Sequence, residues 1–483
     1  MNRLLIDTTQ IRHQVTNHAL GVNVNFLADH AEMRERGQGY LAAMRQMGVR
    51  SLRYPGGEKS NEYFWSQPPW TESRPTLSLT GPEARLVKES KLASTTGEFY
   101  VKPMDFDEFI KLCHELGAEP VICVGLGSAY IKNRPGQLIG STRAQVLENA
   151  IEWVRYANQV RGYGVKYWEI GNESYWRGSI VTLTAADYTR DILELSRAMK
   201  AIDPEILIGA NGHVDKNYIS TADAADGPIW WQYLLTHASA EIDFLVVHPY
   251  PCFEWGSYTY YTQHTLVFTE AVDQALAALQ EWAKPEDADR IRIMITETNT
   301  FDWAATDWYE GNQAGWPWRN DLGHALVLFD LLGQHLLRPR VDAIQVWNTR
   351  WFGPESKLDD VLDGQNALLP TGQVLGLWGK HLQTHLQAIP GQPAGPIYAS
   401  YNPETNALTI FLMNKLTIQQ PLTIDLSNYG QRWRASSIVF AGQDPDDEHP
   451  TITSGLVWET ASSDMHLTLP PVSITVITCE ANK

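Results

Sequence analysis

Two glutamates, Glu173 and Glu297, each lie at the end of a short apolar segment. Glu173 ends the run KYWEIGNE at 166–173, and Glu297 lies within RIMITETN at 292–299. Strand-forming residues give way to polar ones at both places, so we expect each carboxyl group at the carboxyl end of a buried strand. Glycoside hydrolysis with retention needs two such groups, one as proton donor and one as nucleophile. The pair predicts this chemistry.

Polar residues at other predicted strand ends would meet the two glutamates on one face of the fold. Arg53 runs into Pro55-Gly56-Gly57, where paired glycines permit a sharp turn beside a ligand. The other candidates at strand ends for binding substrate are Glu58, Asn172, His248, Tyr250, Gln345 and Trp347. We expect Tyr250 to orient Glu297. Plainer interpretations stay open, since Arg53 could be a structural ion-pair partner and His248 a core histidine.

The loops after the sixth and seventh predicted strands are rich in aromatic residues. They contain Phe253, Trp255, Tyr258, Tyr260 and Tyr261 in the first loop, and Phe301, Trp303, Trp308, Tyr309, Trp316 and Trp318 in the second. Flat rings with a polar tip suit the faces of sugars. The clustering favours a saccharide site that includes Trp303, and packing within the loops is the alternative for any single ring.

Eight apolar segments, separated by amphipathic helical patterns, are positioned to carry these residues. The predicted strands are 19–26, 51–57, 119–126, 166–173, 206–212, 243–250, 292–299 and 343–350, with helices such as 104–116, 142–159, 320–337 and one around 373–386 between or after them. Parallel strands need helical crossovers, and eight of them close on a packed interior. The pattern predicts an α/β fold, a (β/α)8 TIM barrel, with an open doubly wound sheet as the rival.

The character of the sequence changes near residue 389. Beyond it, short alternating segments at 407–414, 421–427, 436–441, 466–469 and 472–479 predict a C-terminal all-β sandwich, jelly-roll-like in type. Residues 4–13 read as one strand that could complete a sheet of this sandwich. We therefore expect three parts: residues 1–18 joining the sandwich, 19–388 forming the catalytic barrel, and 389–483 forming the sandwich.

Composition limits the possible partners. The net charge is −18, from 38 basic and 56 acidic residues, which disfavours nucleic acid and anionic membranes. There is no apolar run long enough for a transmembrane helix and no apolar leader at the start, so we expect a cytoplasmic protein. The four cysteines are scattered, and we find no metal or phosphate motif, so no cofactor or metal is required. Oligosaccharides or polysaccharides remain suitable partners.

Several motifs resemble those of the α-L-arabinofuranosidase family of retaining glycoside hydrolases, in clan A. They are LRYPGG at 52–57, Tyr63-Phe64-Trp65, GAEP at 117–120, KYWEIGNE at 166–173, Ala198-Met199 and Asp203-Pro204. The resemblance implies that Glu173 is the acid/base and Glu297 the nucleophile. It also implies that Arg53, Asn172, Tyr250 and Gln345 line the first sugar site, and that the protein is a homo-oligomer, often a hexamer.

Two positions that contact the terminal arabinose in the family differ here. Asn25 stands where the family has a glutamate, and Glu58 stands where it has an asparagine. The segment Thr296-Glu297-Thr298-Asn299 is similar instead to endo-acting β-glycanases of the clan. We expect an exo-acting arabinofuranosidase-like enzyme on plant-derived oligosaccharides, with an endo-β-glycanase, a catalytically inactive sugar-binding barrel or, last, a metal-dependent hydrolase as alternatives. The acid/base role further predicts that the pKa of Glu173 is raised.

Overall fold

The structure is a computed structural model. It describes residues 2–481 apart from 83, 133–136, 138, 176–182, 214–228, 251–256, 301–318, 353–359, 391–393, 430–432 and 461–462. The strands are β1 (Asn2–Leu5), β2 (His13–Gln14), β3 (Leu20–Asn23), β4 (Ser51–Tyr54), β5 (Tyr63–Phe64), β6 (Thr76–Leu77), β7 (Glu119–Val124), β8 (Tyr167–Ile170), β9 (Leu207–Asn211), β10 (Phe244–Val247), β11 (Arg292–Thr298), β12 (Val341–Val346), β13 (His385–Ala388), β14 (Ile397–Asn402), β15 (Ala407–Asn414), β16 (Gln420–Asp425), β17 (Trp433–Ala441), β18 (Thr451–Thr460), β19 (Asp464–Leu469) and β20 (Ser473–Ala481). The helices are α1 (Ala31–Glu35), α2 (Tyr40–Met47), α3 (Arg85–Ser90), α4 (Phe106–Leu116), α5 (Arg143–Val154), α6 (Ala185–Ile202), α7 (Trp230–Ala238), α8 (Tyr258–Gln263), α9 (Glu270–Trp282), α10 (Pro285–Ala288), α11 (Leu322–Leu336) and α12 (Pro370–His381).

Eight parallel strands close into a barrel in sequence order. They are β3, β4, β7, β8, β9, β10, β11 and β12, and the last pairs with the first, so that Gln345 lies opposite Gly21. The predicted (β/α)8 barrel is therefore confirmed, and the rival open sheet is wrong. The strands are shorter than predicted at their carboxyl ends, because the polar residues there leave the ladder to form the loops above the barrel.

Local sequence signals explain where the barrel helix α4 begins and ends. α4 begins at Asp105, whose side chain accepts a hydrogen bond from the backbone N–H of Glu108, and the Glu108 carboxylate accepts one from the backbone of Asp105. It ends at Gly117, which takes the left-handed conformation that glycine tolerates best. Phe109 and Cys113 lie on its buried face. Such helices pack on the outside of the barrel strands, as α4 does on β4 and β7.

The barrel interior is apolar at one end and charged at the other. A small cluster fills the interior below the charged groups and consists of Val121, Tyr167, Phe244, Val246, Met294 and Ala343, packed with Leu207. Above it, Arg53 and Glu169 point inward and are fully buried. Each of these two charged side chains requires the other, because an unpaired buried charge is costly. The strand ends above them are where the chemistry can lie.

The C-terminal region forms two sheets. Seven strands follow the order β18-β17-β20-β15-β14-β13-β2, and three follow β1-β16-β19. Side chains from both sheets, including Ile410, Ile424 and Trp433, share one apolar core. The predicted β-sandwich is confirmed. The strands β13, β14 and β18 were not predicted, and the helix predicted around 373–386 ends at His381, before β13.

The N-terminal segment contributes to both of these sheets. β1 pairs in parallel with β16, and β2 pairs with β13. The prediction of one continuous strand over residues 4–13 was wrong, because Asp7 accepts a hydrogen bond from the backbone N–H of Thr9 and starts a short 3-10 helix, Thr8–Gln10. The limits predicted for the three parts of the chain stay a prediction. Among the described residues, no helix combines the length and the apolar character needed to cross a bilayer.

Candidate active site

Arg53, at the end of β4, is the centre of a buried hydrogen-bond network. Its Nε and Nη2 donate to the two carboxylate oxygens of Glu169, each at 2.7 Å. Nη1 donates to Oε1 of Glu297 at 2.7 Å and to Oδ1 of Asn23 at 2.9 Å, and Nη2 donates to Oδ1 of Asn172 at 2.7 Å. The planar guanidinium thus fixes groups from several strands in one geometry. Arg53 is both the ion-pair partner and the group that positions the site.

Glu297 is held from two sides. Oε1 accepts from Arg53, and Oε2 accepts a 2.9 Å hydrogen bond from the hydroxyl of Tyr250, as predicted. The side chain is only 7% exposed. Burial raises the pKa of Glu297, and the nearby His248 and Arg53 charges oppose that rise without cancelling it. A carboxylate fixed in this way is suited to attack a carbon atom that a bound substrate brings within reach.

Glu173 faces Glu297 from the end of β8. One carboxylate oxygen of each lies within 4.8 Å of the other. This upper limit lies well below the roughly 6.5–9.5 Å of inverting glycosidases and agrees with the shorter spacing, roughly 5–5.5 Å, of retaining ones. The backbone of Glu173 has φ of 43°, a left-handed conformation that is strained for a non-glycine residue. The loop therefore holds this carboxyl group in place at some conformational cost.

His248 bridges the two sides of the site. Its Nδ1 lies 2.9 Å from Oε1 of Glu173 and 3.7 Å from Oε2 of Glu297, and its Nε2 lies 2.9 Å from Oγ1 of Thr296. The imidazole is 1% exposed. Burial acts to lower its pKa, but the charges of Glu297 and Glu173 outweigh burial, so the pKa of His248 is raised. His248 is a core histidine that also belongs to the site.

The expected rise in the pKa of Glu173 is not found. Burial acts to raise it, but the hydrogen bond and the charge of His248 outweigh burial, and Arg53 and Arg85 add to the effect. The pKa of Glu173 is therefore lowered. The prediction was wrong because the imidazole of His248 is hydrogen-bonded to Glu173, and its influence exceeds that of the carboxylate across the site.

Three buried amide groups at the strand ends have atoms without a hydrogen-bond partner among the described residues. These are Nδ2 of Asn172 and both amide atoms of Gln345 and of Asn348, and none of these atoms has a partner in the part of the chain that the structure describes. Buried polar atoms are normally paired. Asn172 and Gln345 were predicted to bind substrate, and their free amide atoms are available for the hydroxyl groups of a ligand.

Trp347 and Gly57 form one wall beside Glu297. Gly57 has φ of 40°, and a methyl group on it would overlap the indole ring of Trp347 and lie 3.1 Å from Oε1 of Glu297. The paired glycines of the sequence therefore allow the indole ring to approach the carboxylate closely. Trp347, predicted as a substrate-binding residue, is in position to shape the space beside Glu297.

Two other predicted residues have structural partners. Oδ1 of Asn25 accepts from the backbone N–H groups of Leu27 and Ala28, at 3.3 and 3.2 Å, which stabilises a turn. Glu58 forms an ion pair with Arg85 of α3. Contacts of Asn25 and Glu58 with substrate stay predictions, and Trp303 lies outside the described residues.

The tyrosines of the first aromatic loop that the structure describes do not support the predicted sugar platform. Tyr258 and Tyr261 are buried, and their hydroxyl groups bond to the carbonyl of Lys415 and the carboxylate of Asp330. Tyr260 is 42% exposed and stacks on His264. Packing, the alternative interpretation, accounts for these rings. The remaining aromatic residues of both loops lie outside the described residues.

Three residues of the network were not singled out from the sequence. Glu169, Asn23 and Thr296 hold Arg53 or His248 from inward positions on β8, β3 and β11. A charged residue in the middle of an apolar strand, as in Tyr167–Ile170, was the available signal for Glu169, because a buried carboxylate requires a cation beside it.

Glu173, His248 and Glu297 also have the ligand types and the spacing of a metal site. Both oxygens of Glu297 already accept hydrogen bonds, and the buried guanidinium of Arg53 beside them would repel a cation. We therefore assign no metal ligands here.

A closed (β/α)8 barrel with two facing glutamates at its strand ends is the framework of retaining glycoside hydrolases. The family described as "Alpha-L-arabinofuranosidase 1 domain" matches residues 43–233. The probable α-L-arabinofuranosidase C of Aspergillus fumigatus is 24% identical over 314 residues, 60% of this chain and 55% of that protein. The intracellular exo-α-(1→5)-L-arabinofuranosidase of Acetivibrio thermocellus is 27% identical over 220 residues, 44% of this chain and 38% of that protein. The chain thus spans about half, or less, of the length of these relatives.

Solved structures match nearly the whole chain. An α-L-arabinofuranosidase from Thermotoga maritima, in complex with arabinose, is 19% identical with a TM-score of 0.69, covering 99% of this chain and 100% of that one. A family 44 xyloglucanase from Paenibacillus polymyxa is 15% identical with a TM-score of 0.66, covering 99% of both chains. These matches support the barrel with its β domain. The resemblance to the α-L-arabinofuranosidases found in the sequence motifs is confirmed.

Proposed function

We propose that this chain is a retaining, exo-acting α-L-arabinofuranosidase that releases terminal sugars from plant-derived oligosaccharides. The observation that carries the proposal is the pair of facing glutamates, Glu173 and Glu297, whose nearest oxygens lie within 4.8 Å. The matching family and the names of the relatives support arabinofuranose as the sugar and exo as the mode of action.

Glu297 is the nucleophile in this proposal. Arg53 and Tyr250 each occupy one of its oxygens and keep the carboxylate facing the site. Their hydrogen bonds also stabilise the negative charge of the Glu297 carboxylate before it attacks. The carboxylate attacks the anomeric carbon and forms a glycosyl ester, which splits one difficult displacement into two easier ones.

Glu173 is the general acid and then the general base. It protonates the leaving oxygen in the first step and deprotonates the attacking water in the second. Its side chain is 21% exposed, more than that of Glu297, so a leaving group or a water molecule can reach it. The amides of Asn172 and Gln345 supply donors and acceptors for the sugar hydroxyls.

Hydrolysis of aryl glycosides tests the proposal. An aryl α-L-arabinofuranoside should be cleaved faster than the matching β-xyloside, β-glucoside and galactofuranoside. Glu297→Ala should abolish turnover, and Glu173→Ala should spare substrates with good leaving groups. Internal cleavage of a β-glycan would identify the chain as an endo-β-glycanase, and sugar binding without any hydrolysis would identify an inactive binding barrel.

Assembly and location are part of the same proposal. We infer a homo-oligomer, a hexamer by resemblance to the family, and a cytoplasmic location, which the word "intracellular" in the name of the A. thermocellus relative supports. Light scattering on the purified protein measures the first, and fractionation of the native cells measures the second.

A further inference from the structure

His248 lies where it can act on both carboxyl groups of the site. Nδ1 is 2.9 Å from Glu173 and 3.7 Å from Glu297, and the ring is 1% exposed. Among the described residues, Arg53 on β4 is a further charged group that acts on His248, and Tyr250, two residues further along the chain, bonds to Glu297. The proposed roles of the two glutamates give this imidazole no function.

Thr296 contacts Nε2 of His248, the nitrogen that does not face Glu173. Its hydroxyl oxygen lies 2.9 Å from Nε2 and can accept an N–H in either charge state of the ring. When Nε2 keeps its proton and donates it to Thr296, Nδ1 is the nitrogen that gains and loses a proton, and it faces Glu173. The same 2.9 Å contact fits a charged imidazole donating to a carboxylate or a neutral imidazole accepting from a carboxylic acid. One proton can therefore be bound either to Nδ1 of His248 or to Oε1 of Glu173.

We propose that His248 and Glu173 share one proton across this contact, and that His248 is a positioning residue that supplies Glu173 with the proton for the leaving group. This inference rests on the proposed function. It also explains why Glu173 can act as an acid although its pKa is lowered in the free site, because the proton is stored on the imidazole next to it.

The proton balance closes over one catalytic cycle. In the first half, the Nδ1–H bond breaks, the proton passes to Glu173, and Glu173 gives a proton to the glycosidic oxygen. The C–O bond to the leaving group breaks as Glu297 bonds to the anomeric carbon. In the second half, water attacks that carbon, the ester to Glu297 breaks, and the proton of the water returns through Glu173 to the shared pair. No further reactant is needed.

Glu297 should control where this proton lies. While it is an anion 3.7 Å from Nδ1, it stabilises the imidazolium, and once it is an ester that attraction is gone. Glycosylation therefore favours the deprotonated pair, which is the form that accepts a proton from water. His248 thus links the charge of the nucleophile, Glu297, to the protonation state of the acid/base group, Glu173.

Nitrogen NMR of histidine-labelled protein tests the inference without any need for activity. The His248 signal, assigned with His248→Asn, should titrate above the ordinary value of 6.5 in the native protein and at lower pH in Glu297→Gln. A neutral His248 between pH 5 and 8, or a titration unchanged by Glu297→Gln, would overturn the shared proton. Because this readout does not depend on hydrolysis, it separates this inference from the proposed function.

Kinetics supply the second readout. His248→Asn should lower kcat/KM by about 10²-fold for a poor leaving group, and by much less for a nitrophenyl group, and should move the basic limb of the pH profile down. Thr296→Val, which leaves His248 in place, should move the same limb in the same direction. The control Tyr250→Phe removes a hydrogen bond to Glu297 and should slow the enzyme without moving that limb. Equal losses for both leaving groups with an unmoved limb would reduce His248 to a structural role.

Discussion

Arg53 donates a 2.7 Å hydrogen bond to Glu297, a residue 244 positions further along the chain. The same guanidinium forms two hydrogen bonds to Glu169, and all three side chains are buried or nearly so. The position of the proposed nucleophile therefore depends on an ion pair in the barrel interior. Arg53 thus links the stability of the barrel to the activity of the site, and substitution of Glu169 tests this link.

Glu169→Gln should lower both stability and activity. The substitution keeps the shape of the side chain but leaves Arg53 without the carboxylate that accepts two of its hydrogen bonds, and breaking a buried ion pair costs about 3–5 kcal/mol. Denaturant unfolding should show a loss of this order, and kcat should fall because Arg53 no longer fixes Glu297. Arg197→Gln, which breaks the exposed pair of Arg197 with Glu241, should cost less than about 1 kcal/mol. Equal costs at both sites would contradict the central place of Arg53.

Gly57→Ala should damage the site through a steric overlap. The new methyl group would overlap the indole of Trp347 and press on Glu297, in addition to the cost of a left-handed conformation. Gly117→Ala is a matched control, since Gly117 also has a positive φ and has open space around its missing side chain. We expect both variants to lose about 1 kcal/mol of unfolding free energy from the backbone, with a further loss and at least about a tenfold drop in kcat only for Gly57→Ala. Unchanged kinetics for Gly57→Ala would remove Gly57 and Trp347 from the wall of the site.

The acidic limb of the pH profile should lie above the ordinary glutamate range. Burial raises the pKa of Glu297 above 4.5, and only the ionised carboxylate can attack. Activity should therefore fall on acidification before an ordinary glutamate would be protonated. The limb is measured as kcat/KM against pH with an aryl arabinofuranoside. An acidic limb at or below 4.5 would show that the hydrogen bonds from Arg53 and Tyr250 outweigh burial.

His335, in α11, should make the fold sensitive to mild acid. Burial lowers its pKa from 6.5 to about 4. As the pH falls from 6.5 towards 4, His335 becomes protonated in the unfolded chain but stays neutral in the folded chain, so the free energy of unfolding falls over that range. A shift of this size corresponds to about 3 kcal/mol. Denaturant unfolding at pH 7 and pH 4.5 should differ less in His335→Gln than in the native protein, and an equal pH effect in both would contradict the assignment.

The barrel could be predicted from the sequence because its signals are local. Apolar runs of strand length alternate with helical periodicity, and breaks in these runs place Glu173, Glu297 and Gln345 at strand ends. The resemblance of the motifs then assigned roles to several of these residues. The strands β13 and β18 were missed although each pairs with a neighbouring strand in the chain, because β13 buries only Leu386 and residues 451–457 of β18 are exposed, so neither shows a clear apolar alternation.

The interior network could not be predicted in the same way. The contacts of Arg53 with Glu169 and of His248 with Thr296 join strands that are distant in sequence, and a strand pattern does not say which inward side chains meet. The direction of the pKa of Glu173 was missed for this reason. It depends on which charge is closest, and His248 at 2.9 Å is closer than the sequence could reveal.

Trapping the covalent intermediate tests the central claim most directly. An activated 2-deoxy-2-fluoro glycoside of the preferred sugar, incubated with the native protein and followed by peptide mass mapping, should place one sugar on Glu297. The Glu297→Gln protein should remain unlabelled, while Glu173→Gln should still be labelled. A sugar attached to any other residue, or a first product with inverted anomeric configuration, would contradict the account.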